Sequence, residues 1–130
     1  MAPEPNQCEP ILTETHDASI TMDLRDYQIR SSQFAVYPDC GSNPIYPTLG
    51  LCGESGEVAE KVKKVIRDKD GQFDSAAVTA ITLELGDVLW YVAQLANELD
   101  IDLRDVAANN LDKLANRQHR GVVSGSGDDR

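Results

Sequence analysis

Two acidic pairs set inside apolar sequence constrain this chain more than any other feature. Glu54-x-x-Glu57 lies in GLCGESGEVAEKVKK and Glu84-x-x-Asp87 lies in ITLELGDVLWYVA. On a helix, residues three apart sit about 60° apart around the axis, so each pair shares one face across one turn. If the two helices pack antiparallel, four carboxylates face one another across the groove. Such a cluster repels itself, and folds tolerate it where the charges are paired or bound to metal. Oxygen-only donors suit a hard divalent ion, Mg²⁺ or Mn²⁺, rather than zinc. One such pair alone reads as ordinary acids on a solvated face. Two of them, both embedded in glycine and apolar residues, point to a metal-assisted reaction on phosphate.

The rest of the chain reads as all-α, with four helices and no competing strand pattern. The first is expected from about Met22 to Val36, ended by Pro38 and the breaker cluster DCGSNPIYP. The second is expected from a Thr48 cap to about Asp68, with Val58, Val62, Val65 and Ile66 as its core stripe. Gly50, Gly53 and Gly56 each cost that helix up to about 1 kcal/mol relative to Ala, which close approach of a helix or ligand would explain. Asp74 caps a third helix reaching about Leu99. Its residues Ile81, Leu85, Val88, Leu89, Val92, Leu95, Ala96 and Leu99 cover more than one stripe, which predicts burial on two sides, in a bundle interior or a subunit interface. A fourth helix opens at Asp102, with Asp105 completing a capping-box pattern, and ends near His119. Residues 1–20 read as a flexible arm, 21–120 as the all-α domain and 121–130 as a Gly/Ser-rich tail.

Composition narrows the partners. A net charge of -10, from 12 basic and 22 acidic residues, supplies no basic face for nucleic acid. The N-terminus has no signal-peptide pattern and no run approaches the ~20 apolar residues of a membrane span. Cys8, Cys40 and Cys52 form no CxxC pair and read as reduced thiols. A soluble, cytoplasmic protein without nucleic-acid or membrane partners is the expectation.

Other residues could serve the acids. Asn110, Lys113 and Arg117 form a polar line on the fourth helix suited to gripping phosphates. Lys61 and Lys64, beyond Glu57, are similar candidates, and Tyr91, one turn after Asp87, can donate to a phosphate or a metal ligand. Trp90 reads as core or interface, and His16 and His119 as surface residues.

The runs GLCGESGEVAEKVKKVIRD, LELGDVLWYVAQLANELDIDL and NNLDKLANR resemble the MazG-like nucleoside triphosphate pyrophosphohydrolases of the all-α NTP pyrophosphatase group, over about residues 24–120. The family pattern is ExxE, a spacer, then ExxD, and here 26 residues separate Glu57 from Glu84. The resemblance implies a four-helix, oligomeric bundle in which Glu54, Glu57, Glu84 and Asp87 are catalytic Mg²⁺ (or Mn²⁺) ligands. It further implies that Asn110 and Lys113 contact the triphosphate, joined by Arg117 and Lys64. The products would be a nucleoside monophosphate and pyrophosphate, released by attack of metal-activated water on a phosphoryl centre. Many relatives carry a second glutamate just before the first motif acid, where this chain has Gly53. That leaves the water-activating base unassigned among the four acids, Glu60 and a hydroxide made by metal alone.

Family members usually pair or double-pair through the long helix, so a homodimer or homotetramer is expected. Base selection would fall to the first helix and the loop 37–47, through Tyr27, Gln28, Phe34, Tyr37, Tyr46 or a neighbouring chain. The compact, phage-like or accessory look of the chain leans toward a purine dNTP such as dGTP. The alternatives are hydrolysis of dUTP or phosphoribosyl-ATP, a non-catalytic acidic helical module that binds a partner, and an ion-binding regulator without turnover.

Overall fold

The computed structural model describes residues 21–121, and within them the chain forms four α-helices and no strand. They are α1 (Leu24–Ser32), α2 (Ile45–Asp68), α3 (Ser75–Glu98) and α4 (Leu103–His119). The all-α, four-helix expectation is met. The arm, the tail beyond Gly121, His16 and Cys8 lie outside the described residues.

Three aspartates start helices. Asp26 N–H donates to Asp23 Oδ1 at 2.8 Å and Asp23 N–H to Asp26 Oδ2 at 3.2 Å, a reciprocal capping box on α1. Asp74 accepts from Ala77 N–H at 2.8 Å and Asp102 from Arg104 N–H at 2.9 Å. Hydrogen bonds from the Arg104 side chain and backbone hold the Asp102 carboxyl down to about 2. The box expected between Asp102 and Asp105 does not form, because Asp105 N–H bonds the backbone carbonyl of Asp102.

α2 begins three residues before the expected Thr48. Pro44 occupies its N-cap and Pro47 its first turn, where no N–H is needed. Thr48 instead turns its hydroxyl onto the Pro44 carbonyl at 2.8 Å. α1 is shorter than expected and ends at Ser32.

Gly50 meets Tyr91, and Glu54 meets Asp87 and Glu84, so α2 and α3 run antiparallel. Each has 24 residues and is about 36 Å long. α1 packs on α3, and α4 packs chiefly on α1 while touching α3 at Leu103.

Polar side chains fix this arrangement. Gln28, 1 % exposed, donates to Asn97 Oδ1 at 2.9 Å and to the Ile101 carbonyl at 2.8 Å, and accepts from Leu103 N–H at 2.8 Å. One amide therefore joins α1, the end of α3 and the start of α4. Next to it, Gln94 donates to Ser31 Oγ and the Trp90 indole N–H to the Ser31 carbonyl, both at 3.1 Å. Glu98 gathers the loop after α1, accepting from the Tyr37 hydroxyl, Gly41 N–H at 2.9 Å and Asn43 N–H at 2.8 Å.

The apolar interior is thin. Its buried members are Ala35, Tyr37, Cys40, Val65, Ala77, Ala93, Ala96 and Leu103, most of them small. The expected burial of the third helix on two sides is not met within one chain, since Leu83 is 67 % exposed and Leu85 and Leu89 are also exposed. Leu111 on α4 is 66 % exposed. α3 is also long and apolar enough to cross a membrane by length and composition, contrary to the expectation, although Glu84 and Asp87 sit near its middle and it packs along α2. The expectation of three reduced thiols is corrected at Cys40, which is disulfide-bonded, while Cys52 is a free, exposed thiol.

Replacing Gln28 with Leu leaves the buried Leu103 N–H and the Ile101 carbonyl without their partner. Because unpaired buried groups cost about 1–3 kcal/mol each, Q28L is expected to lose about 2–4 kcal/mol of stability in urea melts. A wild-type midpoint in this variant would show that the network does not hold the helices.

Candidate active site

The antiparallel pairing sets Glu54 of α2 opposite Glu84 and Asp87 of α3. One carboxylate oxygen from each lies within 4.8 Å of the other two. Glu54 and Glu84 are half-buried and Asp87 is exposed. Burial raises the pKa of Glu54, and the charges of Asp87, Glu84 and Glu57 raise it further. Three of the four expected acids are thus brought together. Glu57 is exposed and outside that group, close enough for its charge to act on Glu54.

The basic residues of α2 divide by face. Lys61 Nζ lies 3.0 Å from Glu84 Oε1, and that hydrogen bond raises the lysine's pKa. Lys64 instead pairs with Glu60 at 3.6 Å, as does Lys63, and Arg67 pairs with Asp68. Of the two lysines, Lys61 and not Lys64 is therefore the one in contact with an acid of the cluster. Periodicity carries the signal: Lys61 is seven residues after Glu54 and returns to its face, whereas Lys64 is ten residues on and falls about 80° away. Glu60 is held by two lysines, Lys63 and Lys64.

Tyr91 closes one end of the cluster. A Cβ built on Gly50 would stand 2.2 Å from Tyr91 Cε1, so the ring lies across bare backbone. This accounts for Gly50, whereas Gly53 and Gly56 face open space within one chain. Burial raises the Tyr91 pKa, followed by Tyr46, Glu54 and Asp87. The Tyr27 pKa is likewise raised by burial and then by the charge of Asp87, while the residue packs against the cluster of Ala93, Ala96 and Leu103. Tyr91 meets the Trp90 ring edge-on at 4.9 Å, and Tyr37 stacks on Tyr46 at 4.9 Å and 11°. Among the residues expected to select the base, Gln28 is consumed by the helix network and the Tyr37 hydroxyl by Glu98. Tyr46 remains 42 % exposed, and Phe34 is exposed.

The polar line of α4 divides. Asn110 and Lys113 are exposed, while Arg117 is buried at 5 % exposure. The helix that carries them lies chiefly on α1.

The family model described as the MazG nucleotide pyrophosphohydrolase domain matches residues 46–122. The chain is 53 % identical over 109 residues to the Gene 37 protein of Mycobacterium phage L5, covering 80 % of this chain and 96 % of that one. That name states no activity. No solved structure matches the chain.

Two outcomes follow from the geometry. Gly50→Ala gains up to about 1 kcal/mol of helix propensity but drives a methyl into Tyr91, a clash of about 1–3 kcal/mol. G50A is expected to lower Tm in the wild type and to raise it in a Tyr91→Ala background; a lower Tm in both would show that the ring is not the obstacle. The second outcome concerns Glu54. Its folded pKa lies above its unfolded value, so the native state binds the proton more tightly, and stability falls as pH rises through the folded value. Metal-free Glu54→Gln is expected to melt above the wild type at pH 7, with the difference vanishing below about pH 4. A lower Tm for E54Q across that range would contradict the repulsion.

Proposed function

The chain belongs to the MazG nucleotide pyrophosphohydrolase domain family, and from that membership and the acidic cluster we propose that it is a metal-dependent nucleoside triphosphate pyrophosphohydrolase. The carrying observation is the group of Glu54, Glu84 and Asp87, three oxygen donors from two helices within 4.8 Å. A set of carboxylates in which burial, and then the neighbouring charges, raise one member's pKa fits a hard divalent cation, Mg²⁺ or Mn²⁺. Glu57, one turn along α2, is the fourth ligand in this reading. When bound, the metal supplies charge neutralisation for the triphosphate and an acidified water.

The chain's own residues orient the substrate. Tyr91, fixed across Gly50, borders the cluster with its hydroxyl protonated, its pKa raised. Tyr46, stacked on Tyr37, offers an exposed aromatic face toward which a base can be directed. Asn110 and Lys113 are the phosphate contacts of this reading. Since α4 packs chiefly on α1, they are drawn from a neighbouring copy, as the exposed Leu83, Leu85, Leu89 and Leu111 support. The assembly is a homodimer or homotetramer acting in the cytoplasm. The product pair is a nucleoside monophosphate and pyrophosphate, with a purine dNTP such as dGTP as the favoured substrate.

Product analysis over a panel of canonical and modified NTPs and dNTPs tests this reading. Monophosphate and pyrophosphate are expected with Mg²⁺ or Mn²⁺ and not with chelator. Glu57→Ala and Asp87→Ala are each expected to lose at least about 100-fold in kcat/KM with helix content unchanged by circular dichroism. Full activity in either variant would remove that residue from the site, and no turnover across the panel would favour a non-catalytic interaction or ion-binding role.

A further inference from the structure

Lys61 is the basic residue of α2 turned onto the acids. Its ammonium lies 3.0 Å from Glu84 Oε1, while Lys63, Lys64 and Arg67 pair with Glu60 or Asp68 away from the cluster. Glu84 is itself one of the three carboxylates that converge within 4.8 Å. The site thus contains a resident cation before any other arrives. The Lys61 side chain is 32 % exposed and the Glu84 side chain 17 %, so the lysine reaches the carboxylate from the solvent side.

Two effects follow from that pairing. An ammonium on Glu84 relieves repulsion among the acids and so weakens their pull on a bare divalent ion. It also sits on a flexible four-carbon stem and binds as a point charge, so it exchanges one anionic oxygen for another without the fixed geometry of a guanidinium. A nucleotide that enters with its cation would allow such an exchange: Glu84 would be free to hold the cation, and Lys61 would take a phosphate oxygen.

We propose that Lys61 is a built-in counter-ion that competes with the metal for Glu84 in the free protein and passes to the substrate's phosphates when the metal–nucleotide complex binds. This inference rests on the pyrophosphohydrolase reading and adds an order to it. Metal and nucleotide load together, and free metal binds weakly. Lys61 is a positioning residue for the acids in the empty site and a substrate contact in the filled one.

The test measures free Mn²⁺ binding by titration calorimetry on full-length wild type, Lys61→Met and Lys61→Arg, with circular dichroism to verify folding, and then KM and kcat for the nucleotide turned over. K61M is expected to bind free Mn²⁺ about fivefold more tightly than the wild type, the scale of a partly exposed ion pair, and K61R to stay near the wild type. KM is expected to rise in K61M by a larger factor than kcat falls. A residue with a merely structural role would not tighten metal binding while weakening substrate. Equal or weaker Mn²⁺ binding by K61M would overturn the counter-ion, and an unchanged KM would overturn the transfer to phosphate. Metal-dependent hydrolysis by the wild type together with either result sinks this inference alone, whereas absence of both Mn²⁺ binding and hydrolysis in all three proteins sinks the pyrophosphohydrolase reading with it.

Discussion

Repulsion between Glu54, Glu84 and Asp87 is the constraint around which this fold is arranged. Three like charges within 4.8 Å push α2 and α3 apart at their middle, so the helices must be held together elsewhere. Toward one end Tyr91 lies across Gly50, and along the groove Lys61 bridges to Glu84. The other fixings lie one to four turns beyond the acids on α3, where Trp90, Gln94, Asn97 and Glu98 engage α1 and the following loop. The contacts that tie α3 to α1 and the loop thus lie C-terminal to both of its acids.

The distribution of polarity is inverted relative to a self-sufficient small domain. Gln28 and Gln94 are among the most buried side chains, while large aliphatic residues on α3 and α4 face outward. A buried amide contributes stability only when its hydrogen bonds are made, and it specifies one geometry because no other satisfies them. The interior therefore gives definition more than it gives hydrophobic free energy. The outward apolar faces hold the remainder of that free energy, which the proposed assembly would realise.

Much of this was legible in the sequence, for identifiable reasons. The caps at Asp74 and Asp102 are local signals with a fixed helical meaning and both form, without the Asp105 half of the box, while of the two acidic pairs Glu54, Glu84 and Asp87 converge and Glu57 stays outside. The start of α2 was hidden because Pro44 and Pro47 read as breakers, although proline is tolerated in a first helical turn. The role of Gln28 was hidden because a glutamine on a helix face carries no mark of burial; only the return of α3 and α4 onto α1 creates its partners. Lys61 was distinguishable from Lys64 by its seven-residue distance from Glu54, a signal present in the sequence but weaker than the pull of motif spacing. The relation of Asn110, Lys113 and Arg117 to the acids depends on where α4 packs, and no local pattern encodes that.

The Glu98 carboxylate reaches three donors spread over residues 37–43. A loop so tied loses most of its independent freedom to a single side chain, and moves as an appendage of α3 rather than as a hinge between α1 and α2. Tyr37 at one end of that appendage stacks on Tyr46, which lies in the first turn of α2. The C-terminal end of α3 is therefore linked through the buried Tyr37 to the N-terminal end of α2. The two acid-bearing helices are thus joined a second time, at a distance from the acids, through one carboxylate and one pair of stacked rings.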